Sequence, residues 1–208
     1  LPTAGWQNLS PNGNAFYYNP NLYGVSFGNS TFVAVGDTGK IVRSTDNGTN
    51  WSHVTTGRLV DSGSHRVSLY GTNHLRGVTF GNNTFVAVGY TGKIIRSTNE
   101  GSSWDNVTKV NNNNLYGVTF GNGTFVAVGQ SGTIIKSTNN GASWSSSSSG
   151  GNTLNGVTFV NNIFMAVGED GRIVKSTADG VTSTDDGSNW SSSTSRTTND
   201  LKGVTFGD

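Results

Sequence analysis

Short apolar runs recur along the chain with turn residues between them. "TFVAVG" at 31–36 returns at 84–89 and 124–129, and as "IFMAVG" at 163–168. Its apolar residues are successive rather than alternating, which predicts a strand buried on both faces. Ahead of it stands "LYGVSFGN" (22–29), repeated as "LRGVTFGN" (75–82), "LYGVTFGN" (115–122), "LNGVTFVN" (154–161) and "LKGVTFGD" (201–208). After it come runs such as "KIVRST" (40–45) and then a run opening at Trp51. Each unit therefore predicts four strands, A to D. "GNST", "GNNT" and "GNGT" join A to B, "DTGK", "YTGK" and "QSGT" join B to C, and "STDNGTNW" or its equivalent joins C to D. Glycine supplies positive φ in such reversals, and Asn or Asp tolerates it.

Antiparallel four-stranded units of about 40 residues that bury both faces predict an all-β fold, a β-propeller in which neighbouring blades cover each other. A solenoid is the competing repeat architecture, but no strand-plus-helix pattern occurs. The whole of 1–208 reads as one propeller, with blade units 22–74, 75–114, 115–153 and 154–200 and partial strands in 1–21 and 201–208. Trp6 marks a D strand and 201–208 a lone A strand, so a blade shared between them lacks B and C. Either the sequence continues past Asp208, or another molecule supplies those strands by β-augmentation. A head-to-tail version of the second would build rings or filaments.

The C to D box recurs with Ser44, Asp46, Gly48 and Trp51; Ser97, Asn99, Gly101 and Trp104; Ser137, Asn139, Gly141 and Trp144; and Ser183, Asp185, Gly187 and Trp190. Leu-to-Trp spacing is constant in the first three units and longer in the fourth, where "STADGVTSTDDG" carries an insertion. The short acceptor group caps backbone donors of the turn, Gly permits the reversal and Trp anchors the blade interface. This box resembles the Asp-box, or bacterial neuraminidase repeat, of sialidases, sortilin-like receptors and photosystem II assembly factors of that type. The resemblance implies a propeller whose boxes are folding devices on the face away from the ligand. Asn99 and Asn139 in place of the acid agree with a turn and disagree with a catalytic carboxylate.

Composition narrows the function. A net charge of +1, without clustered Lys or Arg, argues against nucleic-acid binding. Cysteine is absent, which removes disulfides, thiolate metal sites and thiol nucleophiles. No apolar run approaches the roughly 20 residues needed to insert in a membrane as a helix.

Strand alternation places the A–B turns and the boxes on one face and the B–C turns and D–A links on the other. The first face is nearly uniform between units. On the second, the residue after the first Leu varies as Tyr23, Arg76, Tyr116, Asn155 and Lys202, and the B–C turn opens with Asp37, Tyr90, Gln130 and Glu169. These positions read as freed from folding duty. The same face carries one long connection, 57–74, holding Arg58, Asp61, His65, Arg66, Tyr70 and His74. Long loops on rigid scaffolds are where binding often resides. Together these residues form the candidate ligand or partner face.

His53, His65 and His74 lack metal-ligand spacing, so no metal is expected, and no motif calls for a cofactor. Arg43, Arg96, Lys136 and Lys175 are repeat-equivalent and encircle the fold, whereas sialidase chemistry needs three converging Arg beside its acid and nucleophile. The protein therefore reads as a non-enzyme. Asn8, Asn29, Asn47, Asn50, Asn82, Asn106, Asn122 and Asn189 are N-x-S/T glycosylation candidates, although a sequence so rich in Asn, Ser and Thr produces nearly as many by chance. The leading expectation is a secreted or cell-surface binding or scaffold propeller for a protein or glycan. The alternatives are a self-assembling structural subunit and a chaperone like the photosystem assembly factors, for which an Arg-lined patch is not evident.

Overall fold

The computed structural model describes residues 21–54, 59–62, 65–68, 74–147, 150–177 and 187–206, with the backbone alone at 59–62, 65–68 and 177. Trp6, Asn8, Arg58, Tyr70, Ser183, Asp185 and the insertion at 178–186 lie outside the described residues. The first blade is β1 (Leu22–Gly28), β2 (Thr31–Gly36), β3 (Ile41–Ser44) and β4 (Ser52–His53). A hairpin, β5 (Leu59–Ser62) with β6 (His65–Ser68), follows it. The second blade is β7 (Leu75–Gly81), β8 (Thr84–Gly89), β9 (Ile94–Ser97) and β10 (Asp105–Asn106). The third is β11 (Leu115–Gly121), β12 (Thr124–Gly129), β13 (Ile134–Ser137) and β14 (Ser145–Ser146), and the fourth β15 (Leu154–Val160), β16 (Ile163–Gly168), β17 (Ile173–Thr177) and β18 (Asn189–Ser193). Each is a four-stranded antiparallel sheet in sequence order, the blade of a β-propeller.

The unbroken apolar run of strand B is explained by its two neighbours. Val33 and Val35 of the first blade share a core with Leu75, Phe85 and Ile95 of the second. Val86 and Val88 of the second pack with Leu115, Phe125 and Ile135 of the third, and Val126 and Val128 with Leu154, Phe164 and Val174 of the fourth. Alternate residues of one strand thus serve opposite interfaces. At roughly 1.5–3 kcal/mol per buried large apolar side chain, these shared cores dominate the fold's favourable energy.

Glycine sets how closely blades approach. A Cβ on Gly24, Gly77, Gly117 or Gly156 would lie 3.1–3.3 Å from backbone atoms of the next inner strand. A Cβ on Gly28, Gly81 or Gly121 would sit 2.1 Å from the ring of Phe80, Phe120 or Phe159 of the next blade. Val160 occupies that position in the fourth blade, and there the repeat-equivalent ring, Phe206, is 53% exposed. Residues 201–206 follow the inner-strand path, with Leu201 N–H donating to Gly168 O at 2.9 Å, but they join no sheet among the described residues.

The boxes close as tight turns. Ser44 Oγ accepts from Gly48 N–H (3.0 Å) and donates to Asp46 Oδ1 (2.7 Å), which accepts from Asn50 N–H (2.9 Å). Ser97 and Ser137 repeat the pattern with Asn99 and Asn139. Asp and Asn are interchangeable because the residue four positions on changes with them. Asp46 Oδ2 accepts from the Asn50 amide (2.7 Å), whereas the Asn99 and Asn139 amides donate to Ser103 and Ser143 Oγ (2.8 Å each). In all four boxes the Trp Nε1–H donates to the box Gly carbonyl at 2.9–3.2 Å. Gly101, Gly141 and Gly187 lean on Val33, Val86 and Val126 of the preceding blade.

Three expectations are corrected. The D strands begin after Trp51, Trp104 and Trp144 and run only two residues in the first three blades. The B–C connections are single 3-10 turns whose middle residues, Thr38, Thr91, Ser131 and Asp170, hold φ of 53–55°. The long connection contains the β5–β6 hairpin rather than an irregular loop.

Gly81→Ala is expected to destabilise by about 1–3 kcal/mol through overpacking against Phe120. Gly203→Ala, where a Cβ meets nothing, is the neutral control; urea midpoints of the two decide. In the first box, hydrogen bonds from the Asn50 backbone, Ser44 and the Asn50 amide lower the Asp46 pKa from 3.8 to about 2. A depressed carboxylate stabilises the fold above its unfolded pKa and loses that contribution as pH falls from about 4 towards 2. Asp46→Asn removes this pH dependence and, with two amides opposed, lowers the melting temperature at neutral pH. Adding Asn50→Ser recreates the second and third boxes and restores it.

Candidate functional site

Backbone geometry, before any side-chain contact, divides the variable face into two kinds of position. In every blade the pairing of strands A and B slips after the first Leu: Leu22 pairs with Gly36 but Gly24 with Val35, and the same slip follows Leu75, Leu115 and Leu154. Tyr23, Arg76, Tyr116 and Asn155 are thus the unpaired residues of β-bulges, which bend a strand and re-aim one side chain. These four positions are free of the strand ladder.

The opening residue of the B–C turn is different, and the expectation that it is free of folding duty is overturned. Asp37 Oδ2 accepts from Asn21 N–H (3.0 Å), Gln130 Oε1 from Asn114 N–H (3.3 Å) and Glu169 Oε2 from Thr153 N–H (3.2 Å). Each caps the entry to its own inner strand. The residues share an acceptor group, which accounts for Asp, Gln and Glu at one position. Tyr90 has no such acceptor in that role, so the second blade departs from the rule.

That departure builds a cluster. His74, in the place of Asn21, Asn114 and Thr153, turns across the blade junction and puts Nδ1 2.6 Å from Asp37 Oδ1. A carboxylate only accepts, so the ring donates from Nδ1. Its ring also meets Tyr90 edge-on at 5.1 Å, and Tyr90 meets Tyr116 edge-on at 6.2 Å. Arg76 lies over the Tyr23 ring at 4.0 Å and reaches Tyr90 at 5.6 Å. Six of the predicted residues, Tyr23, Asp37, His74, Arg76, Tyr90 and Tyr116, are therefore continuous across three blades.

Asp37 is buried, 4% exposed, and its pKa is held low by the Tyr23 hydroxyl first, then by Asn21 N–H and His74. The same contact with Asp37 raises the Tyr23 phenol above its ordinary 10.0. Asn114, which the sequence did not single out, braces the far end: its amide contacts the Tyr116 hydroxyl at 3.4 Å and its carbonyl accepts from Thr91 N–H at 2.9 Å. The recurring polar residue directly before each inner Leu was the available signal.

The remaining predicted residues are elsewhere. Gln130 and Glu169 serve as turn caps. Asn155 donates to Leu201 O at 2.9 Å, and Lys202 pairs with Asp200 at 2.8 Å. His65 and Arg66 lie on β6, where only backbone is described. His53 sits on the outer strand β4, paired with Val42 and remote in the fold from His74. Among the described residues no three His, Cys, Asp or Glu side chains group as a metal site requires. Arg96 donates to Asn140 O of the next box at 3.5 Å and Lys136 contacts Ser188, so these two strand-C cations staple blades. Sequon residues Asn29, Asn47, Asn50, Asn82, Asn106, Asn122 and Asn189 lie on the exposed surface; the Asn82 amide donates to Asn140 Oδ1 and the Asn50 amide to Asp46.

The fold defines the class: the protein is a β-propeller. Solved structures similar to it include YCF48 bound to D1 peptide, at 18% identity and a TM-score of 0.59 over 83% of this chain and 55% of that one. YCF48 from Cyanidioschyzon merolae matches at 14% identity and 0.63 over 90% and 60%, and a GH74 enzyme of Niastella koreensis at 19% and 0.53 over 82% and 24%. The chain spans little more than half the length of the YCF48 structures. No protein-family model and no curated protein matches it.

Asp37→Asn is expected to return the Tyr23 pKa towards 10.0. Phenolate absorbance titrations of the wild type, Asp37→Asn and Tyr23→Phe check it, since only a Tyr23 signal disappears in the last.

Proposed function

We propose that this protein is a non-catalytic binding propeller that holds a protein partner through the face opposite the boxes. One observation carries the reading: Tyr23, Arg76, Tyr90 and Tyr116 form an unbroken aromatic and cationic line over three blades, three of them on bulges with no part in strand pairing. Aromatic residues and Arg are the side chains that most often anchor interfaces. A protein ligand is in keeping with a similar propeller that is bound to a peptide. The non-catalytic part is supported by Asp37, whose oxygens are engaged by His74 and Asn21, with no second carboxylate acting on it among the described residues. The Asn-, Ser- and Thr-rich surface supports a secreted or cell-surface setting.

Self-association is a second reading, favoured by the apolar outward face of β1. Leu22, Val25 and Phe27 are 49%, 62% and 53% exposed, whereas Leu75 and Val78, the equivalents of the first two, are buried and Phe80, that of the third, is partly buried. Sedimentation of the wild type and Phe27→Ser at rising concentration tests it: an assembly that the substitution dissolves supports it, and a dilution-resistant monomer ends it.

Arrayed peptides and arrayed glycans, probed with the wild type and with Tyr90→Ala/Tyr116→Ala, test the first reading. Saturable peptide binding that weakens at least tenfold in the variant, with its melting temperature maintained, is expected. Binding to glycans alone, or peptide binding indifferent to the substitutions, overturns it.

A further inference from the structure

Which ligand chemistry this face selects follows from how its charges are already paired. Asp37 stands near Arg76, yet both its oxygens are committed elsewhere. Oδ1 takes His74 Nδ1 at 2.6 Å, and Oδ2 takes the backbone and side-chain N–H groups of Asn21 at 3.0 and 3.1 Å. Arg76 is left with ring contacts alone: among the described residues its guanidinium forms no ion pair, and its neighbours are the rings of Tyr23 and Tyr90.

The rings are equally informative by what they do not offer. One face of Tyr23 carries the guanidinium, and Tyr90 is met edge-on by both His74 and Tyr116. The group is thus built to hold Arg76 in place. Stacking on an aromatic face fixes the guanidinium plane without consuming its N–H donors, which point out along its edges. A planar fork of donors, immobilised and with no ion-pair partner among the described residues, matches a planar carboxylate.

We infer that Arg76, held between Tyr23 and Tyr90 at the junction of the first two blades, is a carboxylate-reading element for an acidic peptide segment. The inference rests on the reading of this face as the binding face and narrows it to a ligand class. The carboxylate can come from an Asp or Glu residue or from the carboxy terminus of a peptide, and the chemistry at Arg76 is the same.

The test follows the Arg76 Nε–H resonance by NMR while four probes are titrated: Ac-Gly-Glu-Gly-NH2, Ac-Gly-Gly-Gly-OH, the neutral Ac-Gly-Gln-Gly-NH2 and glucuronate. A saturable shift is expected with at least one of the two peptide carboxylates, and which one responds identifies the source. The neutral peptide is expected to bind at least tenfold more weakly. Arg76→Lys, which keeps the charge and loses the fork, should also weaken binding of the responding peptide at least tenfold. Arg76→Asn should abolish it; the fourth blade carries Asn155 at the same bulge, so the fold accommodates that residue. Affinity in these variants is followed by the Tyr116 ring resonances. Equal binding of the neutral peptide, undiminished binding in Arg76→Asn, a response to glucuronate alone, or no saturable shift with either acid overturns the inference. Those failures leave the binding face itself to be judged by the Tyr90 and Tyr116 substitutions on arrays.

Discussion

Backbone meets backbone where the inner strands of successive blades pass one another, at Gly24, Gly77, Gly117 and Gly156, and everything else in the molecule is arranged around that approach. A side chain there would press into the next strand at 3.1–3.3 Å. Because the strands are so close at this point, the leucine before each glycine can be driven into the neighbouring blade's core, where Leu75, Leu115 and Leu154 are at most 1% exposed. The bulge that follows each leucine belongs to the same device. One residue must leave the ladder for leucine and glycine both to reach their places, and that residue is ejected onto the variable face. Close packing and a projecting side chain are two outcomes of a single slip in register.

The boxes answer the same demand from the other end of the sheet. The second, third and fourth lean a glycine on strand B of the preceding blade, and the first three close the turn with a serine and an Asx oxygen. What is preserved between boxes is the complementarity of donor and acceptor. Asp46 has Asn50, while Asn99 and Asn139 have Ser103 and Ser143. An acid whose partner changes in step with it is a structural acid, and this separates the box from a repeated charge site more firmly than the substitutions alone.

The repeat made most of the architecture legible, because strand order, turn positions and the separation of faces all follow from hydrophobic runs and their punctuation. The β5–β6 hairpin was legible too, in the alternation of "RLVDSGSHRVS" about a Ser-Gly turn, but length and polarity argued for a loop. The bulge could not be read in advance, since a register slip leaves no mark in a sequence whose partner strand is unknown. Nor could the capping by Asp37, Gln130 and Glu169. Variation among repeats looked like release from constraint, whereas the constraint was on the acceptor oxygen, which three different residues supply.

That distinction separates the candidate face from its scaffold. Variation at a capping position that keeps an acceptor is substitution within a folding role; variation at a bulge has no strand pairing to keep. Tyr90 breaks the capping rule, and His74 breaks the companion rule at the residue before the inner Leu. The two exceptions fall in the same blade, and their rings touch. Losing the intrablade cap released His74 to bind Asp37 across the junction. The His74 Nδ1–H occupies Asp37 Oδ1, and beside that pair stands a cation framed by tyrosines from two blades. A scaffold that only needed to fold had Asn, Asp or Thr available for the position of His74, as the other units demonstrate, so folding alone does not account for the pair of exceptions.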